Sequence, residues 1–198
     1  MFLGGYLNGA VMLYYFLFLG LFALRKVVDQ VRSKRNIRRL ERQRPVLPSR
    51  DRALPWMLIT HVAFFVLTPL EVVLLDRTFL PALGIPMIVL FVLAALLRWW
   101  ATALLGRQWN SEVVVPGDLR PVASGPYRVV RHPNYLAVSL ELLSAGLIYS
   151  AYLSAVVVGV LNLYSVIKRI RAEEEVLFQV PAYRSALGNK ARLLPGIY

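Results

Sequence analysis

Residues Ser124-Gly125-Pro126-Tyr127-Arg128-Val129-Val130-Arg131-His132-Pro133-Asn134-Tyr135 gather two tyrosines, two arginines and one of the chain's two histidines at one junction. Apolar segments flank the junction on both sides, and so much hydrogen-bonding capacity between them implies that something polar binds there. Gly125-Pro126 reads as a turn, and Pro133 biases His132 toward an extended backbone. Pro133 also suits the first turn of a following helix, which leaves Asn134 and Tyr135 at its mouth beside free backbone N–H groups. The expectation is a ligand pocket at a helix start, on the cytosolic edge of a membrane. A second cluster, Arg169-Ile170-Arg171-Ala172-Glu173-Glu174-Glu175, lies beyond the last apolar segment. Arg169 and Glu173 are four apart and share a helix face. Spacing alone favours an ion-pair ladder on a solvated helix, but this helix starts at the same membrane face as His132. There a guanidinium can hold a carboxylate in a bidentate fork, and a glutamate can pair with a cation or accept from sugar hydroxyls.

Positioning these groups falls to an apolar chain. Of 198 residues 58% are hydrophobic and 17% charged, against about 25% charged in a soluble domain. Several runs approach the ~20 apolar residues that span a bilayer. The fold class is therefore an all-α integral membrane protein with about five crossings, at residues 2–24, 54–75, 82–105, 134–149 and 151–167, the last two forming a tight helical hairpin. No basic stretch precedes the first segment and no small-residue cleavage site follows it, so it reads as a retained anchor. Residues 25–52 are strongly basic (Arg25, Lys26, Arg32, Lys34, Arg35, Arg38, Arg39, Arg42, Arg44, Arg50, Arg52). They are expected to lie on anionic headgroups, helical at their start and ended by Pro45 and Pro48.

Five crossings put residues 25–52, 106–133 and 168–198 on one side, and every Lys or Arg except Arg77 and Arg98 falls there. That is the positive-inside pattern, so the net charge of +12 reads as membrane topology rather than nucleic-acid binding, for which no module is visible. Trp99 and Trp100 read as an interfacial belt. The absence of cysteine excludes disulfides and thiolate chemistry, and two distant histidines argue against a catalytic metal. His61, Glu71, Arg98, Glu141 and Asn162 lie inside crossings, where ionisable groups are functional candidates. Bonding between helices explains His61 and Asn162 as well, and Glu71 fits a place near the outer surface. Glu141, two turns beyond Tyr135, stands nearer the pocket and is a substrate-side candidate.

Gly125-x-Tyr127, Arg131-His132-Pro133-x-Tyr135, Arg169-x-x-x-Glu173-Glu174 and a closing Leu194-Pro195-Gly196-Ile197 follow one another around the hairpin. In that order they resemble the isoprenylcysteine carboxyl methyltransferases and the related phospholipid methyltransferases. The resemblance covers about residues 105–198 and divides the chain into N-terminal membrane helices with a basic segment (1–104) and a methyltransferase core (105–198). It implies an S-adenosylmethionine-dependent methyltransferase with a cytosol-facing pocket. Leu119, Arg120, Pro121, Val122, Tyr127, His132, Pro133, Asn134 and Tyr135 would line the cofactor, Glu173 would bind it as well, and Arg169 would position the acceptor. Physically, the sulfonium suits an acidic residue and the faces of Tyr127 and Tyr135, and a carboxylate needs a donor such as His132 or helix-start N–H groups.

A carboxylate acceptor needs no general base. A phenol or an ammonium must first lose a proton, a role open to Glu173 or His132. A lipophilic or prenylated acceptor would enter from the bilayer, and a short chain with few helices points to a prokaryotic inner membrane. The chain departs from the family pattern at Val180-Pro181, Tyr183 and Ala186, where glycine and two spaced tyrosines are usual, and it lacks the additional N-terminal helices of the eukaryotic enzymes. Both departures bear on the acceptor more than on the cofactor. Membrane sterol and steroid reductases share the hairpin and a His-Asn-Tyr run, which makes an NADPH-dependent reductase the alternative. The acidic run Glu173-Glu174-Glu175 would repel a 2′-phosphate. A lipid-docking scaffold explains residues 25–52 but not 124–135.

Overall fold

The computed structural model describes residues 2–43, 45–47 and 53–196, with side chains from residue 9 onward. Among the described residues, six α-helices carry nearly all of the regular structure: α1 (Phe2–Gln43), α2 (Leu54–Leu74), α3 (Pro81–Leu105), α4 (Pro133–Leu147), α5 (Tyr152–Leu177) and α6 (Pro181–Leu187). Proline opens four of them, at positions 55, 81, 133 and 181, where the missing N–H has no intrahelical partner to lose. Two short strands, β1 (Val46–Leu47) and β2 (Val115–Pro116), pair antiparallel with Val46 opposite Pro116.

Among the described residues, four helices are long and apolar enough to cross a membrane: Gly9–Gln43, Leu54–Leu74, Pro81–Gln108 and Tyr152–Leu177. The chain is an integral membrane protein. The fifth expected crossing is α4, whose 15 residues rise roughly 22 Å, short of the ~30 Å hydrocarbon core. It packs between α3 and α5 with Ala137, Glu141, Ser144 and Ala145 fully buried. Two boundaries also move. The basic stretch expected to be helical only at its start continues α1 to Gln43, because Ser33, Ile37 and Leu40 keep a buried face at helical spacing. Arg44, Arg50 and Arg52 lie outside the described residues, as does Ile197 of the closing motif. At the other end, α5 runs on to Leu177 and carries Arg169, Glu173 and Glu174 on the last crossing itself.

Aromatic packing joins α1 to the rest: Tyr15 stacks on Tyr149 at 5.0 Å, and Phe22 meets Phe91 edge-on at 5.2 Å. Polar residues inside the helices mostly bond neighbouring elements. Glu71 of α2 accepts the N–H groups of Leu153 and Ser154 at 3.1 and 2.6 Å and so caps α5, whose own preceding residue is Ala151. Asn162 donates to Ser139 at 2.7 Å, and His61 Nδ1 lies 2.7 Å from the Met57 carbonyl of its own helix.

Glu141 has no exposed surface. Its carboxylate pairs with Arg25, with Lys26 at 3.2 Å and with Arg98 at 3.4 Å, while Arg98 also reaches Asp29 at 2.7 Å. This cluster ties α1, α3 and α4 together.

Candidate active site

A backbone requirement sets the mouth of the site. Gly125 has φ +56°, and a Cβ there would stand 2.6 Å from Leu104 Cδ1 and 3.1 Å from the Trp100 ring. The turn it makes is pressed onto the end of α3, and the following 3-10 turn, Gly125–Arg128, brings the Tyr127 hydroxyl within 3.4 Å of the Ala101 carbonyl. Further along, Arg131 and His132 donate their N–H groups to the carbonyls of Ala191 and Arg192 at 2.9 and 3.0 Å, clamping the C-terminal segment beside the His132 loop. The end of α3, the 106–132 loop, the start of α4, the end of α5 and α6 thereby line one open cleft of about 110 Å³.

One wall is polar. The Tyr135 hydroxyl donates to Glu173 Oε2 at 2.5 Å and accepts from Arg169 Nε at 3.0 Å. Arg169 is 1% exposed and spends a second nitrogen, Nη2, on the Ser111 carbonyl at 2.8 Å. His132 Nε2 stands 3.1 Å from Glu174 Oε1, and the same carboxylate receives Arg131 at 3.1 Å and Arg192 at 2.9 Å. Burial pushes the phenols of Tyr127 and Tyr183 above their ordinary range, and the Glu173 charge adds to the effect. Both stay neutral donors beside the carboxylate.

Of the residues expected from the sequence, Leu119, Arg120, Pro121, Val122, Tyr127, His132, Asn134, Tyr135 and Glu173 line this cleft. Three are placed elsewhere. Pro133 is buried in the first turn of α4 outside the cleft wall, and Arg169 stands behind Tyr135 rather than at the surface of the cleft. Glu141 is not in the wall at all. Three cations already occupy its carboxylate, so it belongs to the helix-joining cluster rather than to the substrate side.

The sequence reading did not count Trp109, Glu112, Arg131 or Tyr183 among the residues lining the cofactor, although all four line the cleft, nor Val113, Val115, Leu177 and Leu187, which make its apolar side. Tyr183 carried a signal, being an aromatic one turn after Val180-Pro181. Trp109 carried none, because it sits in an irregular loop that only the fold brings here.

Three polar atoms of lining residues are buried without a hydrogen-bond partner: Trp109 Nε1, Arg131 Nε and Asn134 Oδ1. An unsatisfied buried group costs about 1–3 kcal/mol, and these three atoms lie beneath the lining rather than at its surface. The Glu173 carboxylate, the neutral phenols and the apolar side of the cleft fit a ligand that combines a cationic centre with a flat apolar part.

Residues 87–179 match the Isoprenylcysteine carboxyl methyltransferase (ICMT) family, so the resemblance carried by the motifs is borne out over that stretch. The matched region takes in most of α3, the loop, the hairpin and the end of α5. The chain is also similar to the uncharacterized protein YpbQ of Bacillus subtilis (strain 168), 28% identical over 166 residues that cover 82% of this chain and 96% of that protein.

Proposed function

We propose, from the match of residues 87–179 to a membrane methyltransferase family, that this chain transfers a methyl group from S-adenosylmethionine to a carboxylate or hydroxyl of an isoprenoid or other lipid-like acceptor. One observation carries the reading. Tyr127, His132 and Glu173 come from two clusters separated by a membrane hairpin, yet all three face the same cleft. In this reading residues 105–198 form the chemical core, residues 1–104 the membrane framework, and the cleft opens to the cytosol. The exposed basic face of α1, with Lys34, Arg35, Arg38, Arg39 and Arg42, fits anionic headgroups on that side.

The cofactor, when bound, supplies an electrophilic methyl group on a cationic sulfur. Glu173 gives that cation a counter-charge, and Tyr127 and Tyr135 offer it aromatic faces. Asn134 and Trp109 line the cleft and would stand along its polar edges. Arg169, buried behind the wall and held by Tyr135 and Ser111, would aim an anionic acceptor through its charge and through the Tyr135 hydroxyl that it fixes, not by direct contact. His132 is engaged by Glu174 and Glu173 by Tyr135, so a carboxylate, which needs no base, is the simplest acceptor. A hydroxyl acceptor would require Glu173 to exchange its Tyr135 proton for the acceptor's. The rest of the rate comes from positioning and from excluding water.

Calorimetric titration of the purified protein with S-adenosylhomocysteine tests the reading, with NADPH as the contrasting ligand. Saturable binding is expected for the first, falling at least tenfold in Glu173→Ala and His132→Ala variants that keep their thermal transition. Unchanged binding in both variants, or tighter binding of NADPH, overturns it. Incubation with methyl-labelled cofactor followed by lipid extraction then identifies the acceptor.

A further inference from the structure

α1 lies outside the stretch matched to the methyltransferase family, yet one of its faces is bonded to the loop that supports Arg169. Gln30, Ser33 and Asn36 recur at helical spacing and share that face. Ser33 has no exposed surface. Its hydroxyl oxygen accepts the Ser111 N–H at 2.7 Å and stands 2.8 Å from Ser111 Oγ, which is 2.9 Å from Gln30 Oε1. The Ser111 hydroxyl donates its one proton to Gln30 Oε1 or to Ser33 Oγ, and the Ser111 amide donates to Ser33 Oγ. Asn36 Nδ2 adds a bond to the Trp109 carbonyl at 2.6 Å. The Ser111 carbonyl then takes Arg169 Nη2 at 2.8 Å, and Arg169 Nε goes to Tyr135.

We infer that Ser33, acting through Ser111, is a positioning residue for Arg169, so that α1 sets the orientation of the buried guanidinium against the Tyr135–Glu173 wall. The inference rests on the proposed methyl transfer, in which Arg169 aims the acceptor. A guanidinium is planar, and two anchored nitrogens define its plane. Tyr135 on α4 supplies one anchor from a regular helix. A second anchor is a carbonyl in a loop, and residues 109–114 have no helix or strand of their own to hold it. Ser33 and Gln30 hold it instead, from 78 and 81 positions away in the chain. Without the Ser33 hydroxyl, the Ser111 amide loses its side-chain partner, and the carbonyl is held only by the bonds of Gln30, Asn36 and Asn110 to the same loop. A displacement of about 1 Å at an aiming group is enough to cost roughly a hundredfold in rate.

The test uses the full chain in lipid nanodiscs and compares Ser33→Val, which removes the hydroxyl, with Ser33→Thr, which restores it. Three quantities are read: S-adenosylhomocysteine affinity by calorimetry, amide hydrogen exchange along the chain, and labelled-methyl incorporation into a lipid extract. For Ser33→Val the expectation is an affinity within about twofold of the parent, faster exchange confined to residues 109–114, and methyl incorporation lowered about tenfold or more. Ser33→Thr should recover both exchange and turnover. Unchanged exchange and turnover in Ser33→Val overturn the inference. So does faster exchange throughout the chain that Ser33→Thr leaves uncorrected, since that is a general loss of packing. If the parent protein binds no S-adenosylhomocysteine, it is the proposed function that fails, and the exchange profile still decides whether α1 holds the loop.

Discussion

Tyr135 uses its hydroxyl in both directions, donating to Glu173 and accepting from Arg169. Replacing it with phenylalanine keeps the ring in place but removes a partner from two charged groups at once. Hydrogen bonds to charged groups are worth about 1.5–3 kcal/mol, so Tyr135→Phe is expected to lower methyl incorporation between about tenfold and a hundredfold. Labelled-methyl assays of the variant check it. The same wall makes a prediction about alkali. Tyr127 and Tyr183 hold their protons above the ordinary tyrosine value of 10.0, first through burial and then through Glu173. The unfolded chain therefore releases these protons first. The stabilisation is intact below about pH 10 and is lost as pH climbs past it. Denaturation midpoints measured from about pH 8 to about pH 11 should stay level and then fall, and Tyr127→Phe should flatten the fall.

The elements that place these residues were legible to different degrees. Hydrophobic runs marked α2, α3 and α5, and Pro133 marked the start of α4, because a helix start is where that residue costs no hydrogen bond. What periodicity did not show is that the basic stretch is one helix with the first apolar segment: charge on three sides of α1 masks the buried line of Ser33, Ile37 and Leu40. The 106–132 loop was readable only at Gly125-Pro126, where the turn residues are explicit. Gly125→Ala tests that turn. At φ +56° with Leu104 and Trp100 against the new methyl group, it should lose about 1–3 kcal/mol. The thermal transition should drop and S-adenosylhomocysteine affinity should drop with it, since Tyr127 follows from this turn.

At the scale of the whole molecule, α1 is attached by an aromatic cluster, by the Ser111 loop and by the charges around Glu141. Removing one partner of a buried ion cluster is costly because the remaining charges stay buried without compensation, about 3–5 kcal/mol in measured cases. Glu141→Leu is therefore expected to lower stability by about that amount in chemical denaturation, while the fraction that remains folded keeps its S-adenosylhomocysteine affinity. An affinity lost in proportion would return Glu141 to the ligand. At this scale too, four helices among the described residues are long enough to span, and the shorter α4 returns the chain between α3 and α5. α4 is mostly buried between α3 and α5 and carries Tyr135 and Glu141.

The amino-acid order by itself determined the membrane class, the hairpin, and the two clusters whose residues line one cleft, because hydrophobic length, turn residues and i,i+4 spacing are local properties that need no partner. Tertiary structure alone decided that Glu173 meets Tyr135 while Glu174 meets His132, that Glu141 stands apart from the cleft, and that Trp109 and Ser33 stand close to it. Each of those outcomes depends on which of several chemically similar groups comes within about 3 Å of another. Residues 34 to 115 positions apart in the chain acquire such distances only when the helices pack.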